Sequence, residues 1–146
     1  MRVISHLLLP IISLSAQSLF CADLSLVVEA RMTRATVKDS EDFGMLTAVR
    51  NTGSSEVEMR VWSCSYSQQW ETDSRSVRVK PTSCRKNYLT KISLAPGQAY
   101  EKAIILSVVD VTRPQSIHFR LAFTPVMEGG VAAQPIWSQE ITAEVQ

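Results

Sequence analysis

The sequence predicts an all-β protein, an antiparallel sandwich or barrel of about seven to eight strands. Apolar residues recur at every second position in short runs, which is the period-two pattern of half-buried strands. The runs follow one another at intervals of about a dozen residues, with turn-forming residues between them. No segment shows a convincing helical pattern. This combination indicates packed antiparallel sheets rather than a parallel sheet with helices.

The first half of the chain contains three predicted strands, separated by a polar break at residues 38–42 and a turn at residues 51–55. The turn is assigned because Asn and Gly tolerate a positive φ. The residues assigned to the core face of these strands are Leu24, Leu26, Val28, Ala30, Phe43, Met45, Thr47, Val49, Val57, Met59 and Val61.

Beyond Val61 the alternation changes phase, so Trp62, Cys64 and Tyr66 fall on the face that carries charges in the preceding strand. Either a bulge re-aims the strand, or these residues lie on the outer face. We favour the second account, in which the Ser65–Ser83 segment folds back over Trp62 and a disulfide fastens it there.

The second half contains about five further strands. The first is a short one at Val77 and Val79, and a later one ends at Pro96-Gly97, which suits the central pair of a type II turn. The run from Tyr100 to Val109 is apolar on both faces, which predicts a central strand that is covered twice. The last two strands alternate through residues 118–123 and 137–145. Five residues on apolar strand faces are predicted to be buried: Val49, Val61, Ile105, Leu121 and Ile141.

The N-terminal residues have the order of a secretory signal peptide: a positive start at Arg2, an apolar run from Val3 to Leu14, and small residues after it. The run is shorter than the roughly 20 residues that a membrane-spanning helix needs, and the strand pattern begins directly afterwards. We therefore divide the chain into a signal peptide, residues 1–22, and one domain, residues 23–146, which agrees with the usual domain size of roughly 100–200 residues.

The fate of Cys21 depends on the cleavage site. Cleavage after the small residues Ala16 and Ser18 would leave Cys21 on the mature protein. Cleavage after Ala22 would remove it, although bulky Phe20 then stands where a small residue is preferred. A lipid anchor on Cys21 is the third alternative, but such a site normally has a small residue directly before the cysteine. We favour removal of everything through Ala22.

Cys64 and Cys84 then form an even pair in an exported chain, where oxidised thiols persist. Closing a loop of about twenty residues stabilises a fold by roughly 3 kcal/mol in the chain-entropy estimate. A metal site is the competing hypothesis, but His118 is the only histidine outside the signal peptide and no Cys-x-x-Cys motif occurs. We therefore predict a Cys64–Cys84 disulfide.

Two segments resemble parts of bacterial immunoglobulin-like domains. The run from Met45 to Gly53 (MLTAVRNTG) is similar to their second strand, and the run from Ile92 to Gly97 (ISLAPG) is similar to a later strand and turn. The bacterial intracellular proteinase inhibitor domain shares this arrangement, although a signal peptide departs from its location. The resemblance covers most of the mature chain as a pattern and implies an immunoglobulin-like antiparallel sandwich. It implies almost nothing about activity.

Charge and composition exclude some partners. A formal charge of +1 argues against a nucleic-acid binder, which needs an excess of basic residues to neutralise phosphates. It also gives no general attraction to an anionic membrane. The hydrophobic and charged contents are ordinary for a globular domain.

Candidate catalytic groups are few, so we expect no enzyme and no cofactor. The sole candidate base, His118, alternates onto a solvent face, which does not suit a serine triad. The acidic pairs of residues 71–73 and 140–144 are assigned to solvated strands and loops rather than to a glycosidase site. The methionines suit Cu(I) as ligands, but they are far apart and two of them fall on core faces.

One segment stands out by its charge. From Arg75 to Lys91 the chain carries six basic residues and no acidic one. They form either a solvated strand edge, where such charges discourage aggregation, or a basic contact surface that uses arginine and aromatic residues as binding hot spots do. In the second case the candidate partner-binding residues are Arg75, Arg78, Lys80, Arg85, Lys86, Trp70 and Tyr88.

The sequence therefore predicts a periplasmic or secreted, non-catalytic binding or structural domain, whose partner is another protein or an acidic envelope polymer. One alternative is a secreted protease inhibitor that presents a loop, with Val126–Pro135 or Ser65–Ser83 as candidates. The other is a carrier of a small ligand or metal. The mature chain is expected to have no membrane span and no nucleic-acid partner.

Overall fold

The structure is a computed structural model that describes residues 25–146. The predicted signal peptide, its boundary and Cys21 lie outside the described residues. The strands are β1 Leu26–Met32, β2 Thr36–Val37, β3 Asp42–Asn51, β4 Val57–Trp62, β5 Trp70–Thr72, β6 Val77–Val79, β7 Leu89–Leu94, β8 Ala99–Val108, β9 Gln115–Phe119, β10 Leu121–Phe123, β11 Ile136–Trp137 and β12 Ile141–Val145. Two short 3₁₀ turns, Tyr66–Gln69 and Glu128–Gly130, interrupt them. The predicted all-β class is confirmed.

The strands form four small sheets around one core. The largest has the order β1-β3-β8-β6, and the others have the orders β11-β10-β5, β2-β12-β9 and β4-β7. Only the β2–β12 pair is parallel among the strand pairs of residues 25–146. A single cluster of buried side chains takes members from every sheet, among them Val28, Met59, Phe119 and Phe123. The sheets therefore pack face to face as a sandwich that carries one disulfide.

There are more strand segments than the sequence predicts, because the chain changes sheets within predicted strands. Arg120 separates β9, which pairs with β12, from β10, which pairs with β5 and β11. Likewise Trp137 and Ile141 belong to strands of different sheets rather than to one strand. Such corners let one strand contribute to two sheets of a sandwich.

Most of the predicted core is correct. Val49, Val61 and Leu121 are buried, and Ile141 is half-buried against the core. Ile105 is the error, because its side chain is 40% exposed. In β8 the alternation sends Ile104 inward, and Ile105 points to the outer face opposite Gly44. The strand is central in its sheet but is not covered on both faces, as its alternating burial pattern shows.

The segment after β4 differs from the predicted excursion. The β4–β7 ladder runs in unbroken register to Trp62, so no bulge re-aims the strand and Trp62 stays on the face of Arg60. Residues 65–83 do not form a single loop, although Gln69 accepts a hydrogen bond from the backbone N–H of Trp62 at 2.9 Å. They contain β5, which joins β10, and β6, which joins β8, and thereby supply strands to two different sheets. The strand predicted at Val77 and Val79 is confirmed as β6.

Two predicted turns are present, for different physical reasons. Gly97 has a φ of 82°, and the N–H of Gln98 donates to the carbonyl of Ala95 at 3.0 Å, as expected for a type II turn with Gly at its third position. Gly53 does not have a positive φ. It is required by space, because a Cβ there would lie 2.6 Å from the Cβ of Ser25.

Candidate functional site

The disulfide is the centre of the candidate site. Cys64, which follows β4, is bonded to Cys84, whose Cα lies 5.8 Å from its own, as predicted. Cys84 begins the loop that leads into β7. We call residues 84–88 the cystine loop. The bond therefore joins the residues after β4 to the loop before β7 at one end of the β4–β7 pair, although twenty positions separate the cysteines.

Hydrogen bonds hold the cystine loop in addition to the disulfide. The side-chain oxygen of Asn87 accepts from the backbone N–H groups of Cys64 at 3.3 Å and Ser65 at 3.1 Å. The N–H of Ser63 donates to the carbonyl of Tyr88 at 2.9 Å, and the N–H of Tyr88 donates to the Ser63 hydroxyl at 3.3 Å. The loop is thus fixed at its first residue and again at its last two. A single asparagine in a loop is common, so the sequence carries no signal that Asn87 holds the loop in this way.

The side chains of the cystine loop that are free of these contacts point to solvent. Arg85, Lys86 and Tyr88 are exposed, and the Tyr88 side chain is 63% exposed. Neither Arg85 nor Lys86 forms an ion pair with any residue of the described chain. The loop therefore presents two cations and one aromatic ring on a fixed backbone.

The remaining basic residues of the segment do not lie on the cystine loop. Arg75 lies in the turn between β5 and β6, and Arg78 is exposed on β6, where it pairs with Ser107 of β8. Because β6 is a three-residue edge strand of the four-stranded sheet, these charges match the solvated-edge interpretation. The basic residues of the segment are thus divided between two sheets and the cystine loop.

Two of the six cations are engaged within the protein. Lys80 forms an ion pair with Asp42, which also accepts from the hydroxyl of Ser107 at 2.6 Å. The hydrogen bond from Lys80, followed by that from Ser107, lowers the pKa of the Asp42 carboxyl. Lys91 pairs with Glu58 across the β4–β7 ladder, and this hydrogen bond lowers the pKa of Glu58 and raises that of Lys91.

Trp70 does not border any contact surface, contrary to the sequence prediction. Its side chain is only 4% exposed, because β5 turns it into the core, where its ring centroid lies 5.0 Å from that of Phe123. Sequence alternation alone did not show this, since a three-residue strand is too short to display a phase.

His118 lies on the surface of β9, as predicted. Its Nδ1 is 3.1 Å from the Thr142 hydroxyl and 3.5 Å from a carboxylate oxygen of Glu140. Both neighbours approach the same ring nitrogen. In a catalytic triad the nucleophile and the orienting acid contact opposite ring nitrogens, so this arrangement is not a triad.

The two candidate inhibitor loops differ sharply. Residues 65–83 contain a 3₁₀ turn and two short strands and bury the polar side chains of Ser65, Ser67 and Gln69, so they do not form one continuous exposed loop. The Val126–Pro135 segment is a hydrogen-bonded hairpin. The N–H of Met127 donates to the carbonyl of Val131 at 2.8 Å, and Val131 is exposed directly after the Glu128–Gly130 turn at the tip of the hairpin.

Within residues 25–146 there is no group of three or more His, Cys, Asp or Glu side chains placed to hold a metal ion. Met45 and Met59 are buried in the core, which is their predicted position. None of the helical segments in the described part of the chain is long and apolar enough to span a membrane.

No protein-family model matches the sequence, and a search of curated proteins gives no match. Among solved structures, the chain is similar to part of E. coli alpha-2-macroglobulin (9% identity, TM-score 0.49) and of the Bacillus subtilis sporulation control protein Spo0M (13%, 0.47). The aligned regions cover 84% of this chain in both cases, but only 7% and 49% of those chains. A PapD-like domain of human CEP192 is 13% identical over all of this chain and 96% of its own, with a TM-score of 0.35. These neighbours are sandwich-type domains, and at such low TM-scores they carry no functional argument.

Proposed function

We propose that this protein is an exported, non-catalytic binding domain that contacts an acidic protein or polymer through the cystine loop. The observation that carries the proposal is the presentation of Arg85, Lys86 and Tyr88 on a loop held at both ends. A contact loop that is already ordered loses less conformational entropy on binding than a mobile one. Arginine and tyrosine are also the side chains that binding hot spots favour.

The disulfide bond also supports the proposal that the protein is exported. Disulfides persist in oxidising compartments such as the periplasm and the cell exterior, and they are rare in the cytosol. The Cys64–Cys84 bond and the signal-like N-terminal residues therefore agree with each other. We place the protein in the periplasm or outside the cell.

The test compares two double variants that remove the same charge. R85S/K86S removes the free cations of the cystine loop, and K80S/K91S removes the two cations that are already paired with carboxylates. The probe is poly-L-glutamate immobilised on beads, at low salt. We expect R85S/K86S to lose retention and K80S/K91S to keep it, although both variants have the same net charge.

A salt titration and a Tyr88 variant test the proposed contact further. Retention of the parent protein should fall steeply as salt rises, because exposed charges are screened over about 8–10 Å at physiological ionic strength. Y88S should weaken binding at every salt concentration if the ring contacts the ligand. Equal loss of retention in both double variants would mean that only net charge matters, and the proposed contact through the cystine loop would be wrong.

The protease-inhibitor alternative has one supporting observation, the exposed Val131 beside the tip of the hydrogen-bonded 126–135 hairpin. An inhibitor would block a protease stoichiometrically and leave Val131 uncut. Titration of a panel of serine proteases, followed by mass measurement of the recovered chain, tests this alternative. Cleavage at the hairpin, or no inhibition, would exclude it for the proteases tested.

A further inference from the structure

The two edges of the four-stranded sheet are built differently. The β6 edge is three residues long, carries Arg78, and is followed by Lys80 and Pro81, all of which discourage pairing with another strand. The β1 edge is seven residues long and contains neither lysine nor proline. No strand among residues 25–146 pairs with its outer side. A long edge that carries one glutamate and one arginine but no lysine or proline is less protected, and such an edge can template strand addition.

The backbone groups that β1 offers can be identified from its pairing with β3. The N–H of Thr33 donates to the carbonyl of Gly44, and the N–H of Thr52 donates to the carbonyl of Ser25. In an antiparallel ladder the hydrogen-bonded residues alternate, so the odd-numbered residues of β1 bond to β3. The N–H and C=O groups of Val28, Ala30 and Met32 consequently point away from the sheet.

Within residues 25–146, β11 lies near this edge and grooves run along it. A groove of about 600 Å³ separates β1 from residues 136–141, and a second of about 430 Å³ continues it along residues 30–35. The outer face beside the edge also carries two partly exposed apolar side chains, since Val27 is 39% exposed and Leu46 is 43% exposed. Both main-chain groups and apolar area are therefore available to a further strand.

The charges on β1 favour β1 of a second copy of this chain as the added strand. Glu29 and Arg31 are its only charged residues, both are exposed, and Arg31 forms no ion pair with the rest of the described chain. If β1 of a second copy pairs antiparallel about Ala30, Glu29 of each copy faces Arg31 of the other. Moving the second strand by two residues in either direction would place Glu29 opposite Glu29, or Arg31 opposite Arg31. Like charges directly opposite each other destabilise a pair of strands.

We propose that β1 pairs antiparallel with β1 of a second copy of this chain, centred on Ala30, to form a symmetric dimer with a continuous eight-stranded sheet. The contact is isologous, as a two-fold axis requires. Hydrogen bonds join Val28 to Met32 of the other copy in both directions, and Ala30 to its own equivalent. Glu29, which already accepts from Arg50, receives a second arginine.

The test uses charge reversal in two complementary variants. In R31E and in E29R, each homodimer places like charges opposite one another at both ion-pair positions. When the two variants are mixed, both positions pair opposite charges again. We expect the parent protein, expressed from the full sequence, to dimerise in sedimentation velocity experiments over micromolar to millimolar concentrations. Each variant alone should bind itself about tenfold or more weakly, and the equimolar mixture should recover the parent affinity.

Matched controls place the same reversals elsewhere on the sheet. R78E lies on the opposite edge and E101R on the central strand β8, so neither should alter association. Circular dichroism of every variant checks that it is folded. A parent protein that remains monomeric at millimolar concentration would overturn the proposal. It would also be overturned if the mixture associates no better than its separate components.

Amide exchange tests the register independently of charge. At high protein concentration the amides of Val28, Ala30 and Met32 should exchange about tenfold or more slowly than at low concentration, because only these become bonded across the dimer. The amides of Glu29 and Arg31 are bonded to β3 in both states and should not change. Protection that appears on residues of another strand and not on these three would contradict β1 pairing.

Discussion

The side chain of Asn51 donates a hydrogen bond of 2.8 Å to the carbonyl of Leu94, a buried contact between the end of β3 and the end of β7. These strands belong to different sheets, so one amide links them. The same group donates to the carbonyl of Ser55 at 2.8 Å, and its oxygen accepts from the N–H of Gly53 at 2.9 Å. All the polar atoms of this fully buried side chain are thus paired.

Replacing Asn51 with alanine should lower the free energy of unfolding by about 1–3 kcal/mol, because it leaves buried backbone groups without partners. Urea unfolding monitored by tryptophan fluorescence measures the change. T52A is the matched control, since Thr52 is the exposed neighbour and bonds only to the carbonyl of Ser25. A loss no larger than that of the control would show that water replaces the amide at this site.

Removing the disulfide in C64S/C84S should cost about 2–5 kcal/mol, the usual range for a native disulfide in a small secreted domain. Urea unfolding gives the free energy, and mass spectrometry of unreduced peptides confirms the bond in the parent. Hydrogen bonds alone then hold the cystine loop, so it should loosen before the sheets unfold. Two free thiols in the parent protein would contradict the structure.

The two faces of the sheets should respond differently to truncation. Leu121 is fully buried, and L121A should cost about 2–5 kcal/mol through lost packing and a residual cavity. Ile105 is largely exposed, and I105A should cost less than about 1 kcal/mol. Denaturant unfolding of both variants checks the orientation of β8 directly. Equal losses would place Ile105 in the core, as the sequence pattern alone predicted.

Tyr100 should make stability fall at alkaline pH. Its hydroxyl is buried, has no hydrogen-bond partner among residues 25–146, and burial raises the pKa of the phenol to about 12 from the usual 10.0. Above pH 10.0 the unfolded chain releases this proton while the folded chain keeps it, so stability falls as the pH rises towards 12.

In Y100F this alkaline dependence should weaken, and at neutral pH the variant should be more stable by about 1 kcal/mol, because an unpaired buried hydroxyl is removed. Thermal unfolding between neutral pH and pH 11 or so measures both effects. Y88F is the control, since Tyr88 is exposed and its substitution should change neither. An unchanged alkaline slope in Y100F would mean that another group causes it.

Local pattern was enough to predict several features of this protein. The alternation of apolar residues correctly placed Val49, Val61 and Leu121 in the core, and Pro96-Gly97 correctly indicated a tight turn. The two cysteines indicated their own pairing because few alternatives existed. Each of these follows from chemistry that neighbouring residues carry, namely the period of a strand, the φ preference of glycine and the oxidation of paired thiols.

Tertiary structure decided which face of an ambiguous strand is covered and where each short strand joins. Ile105 and Ile104 are equally apolar, so only the packing of β8 against the core assigns one inward and the other outward. Trp70 was predicted at the surface because β5 is too short to show its phase, and its burial depends on pairing with β10, some fifty residues later in the chain. Asn87 acquires its role only because the β4–β7 pairing and the disulfide bring it beside Cys64. Contacts between residues distant in sequence are set by the packing of whole sheets, and no local pattern records them.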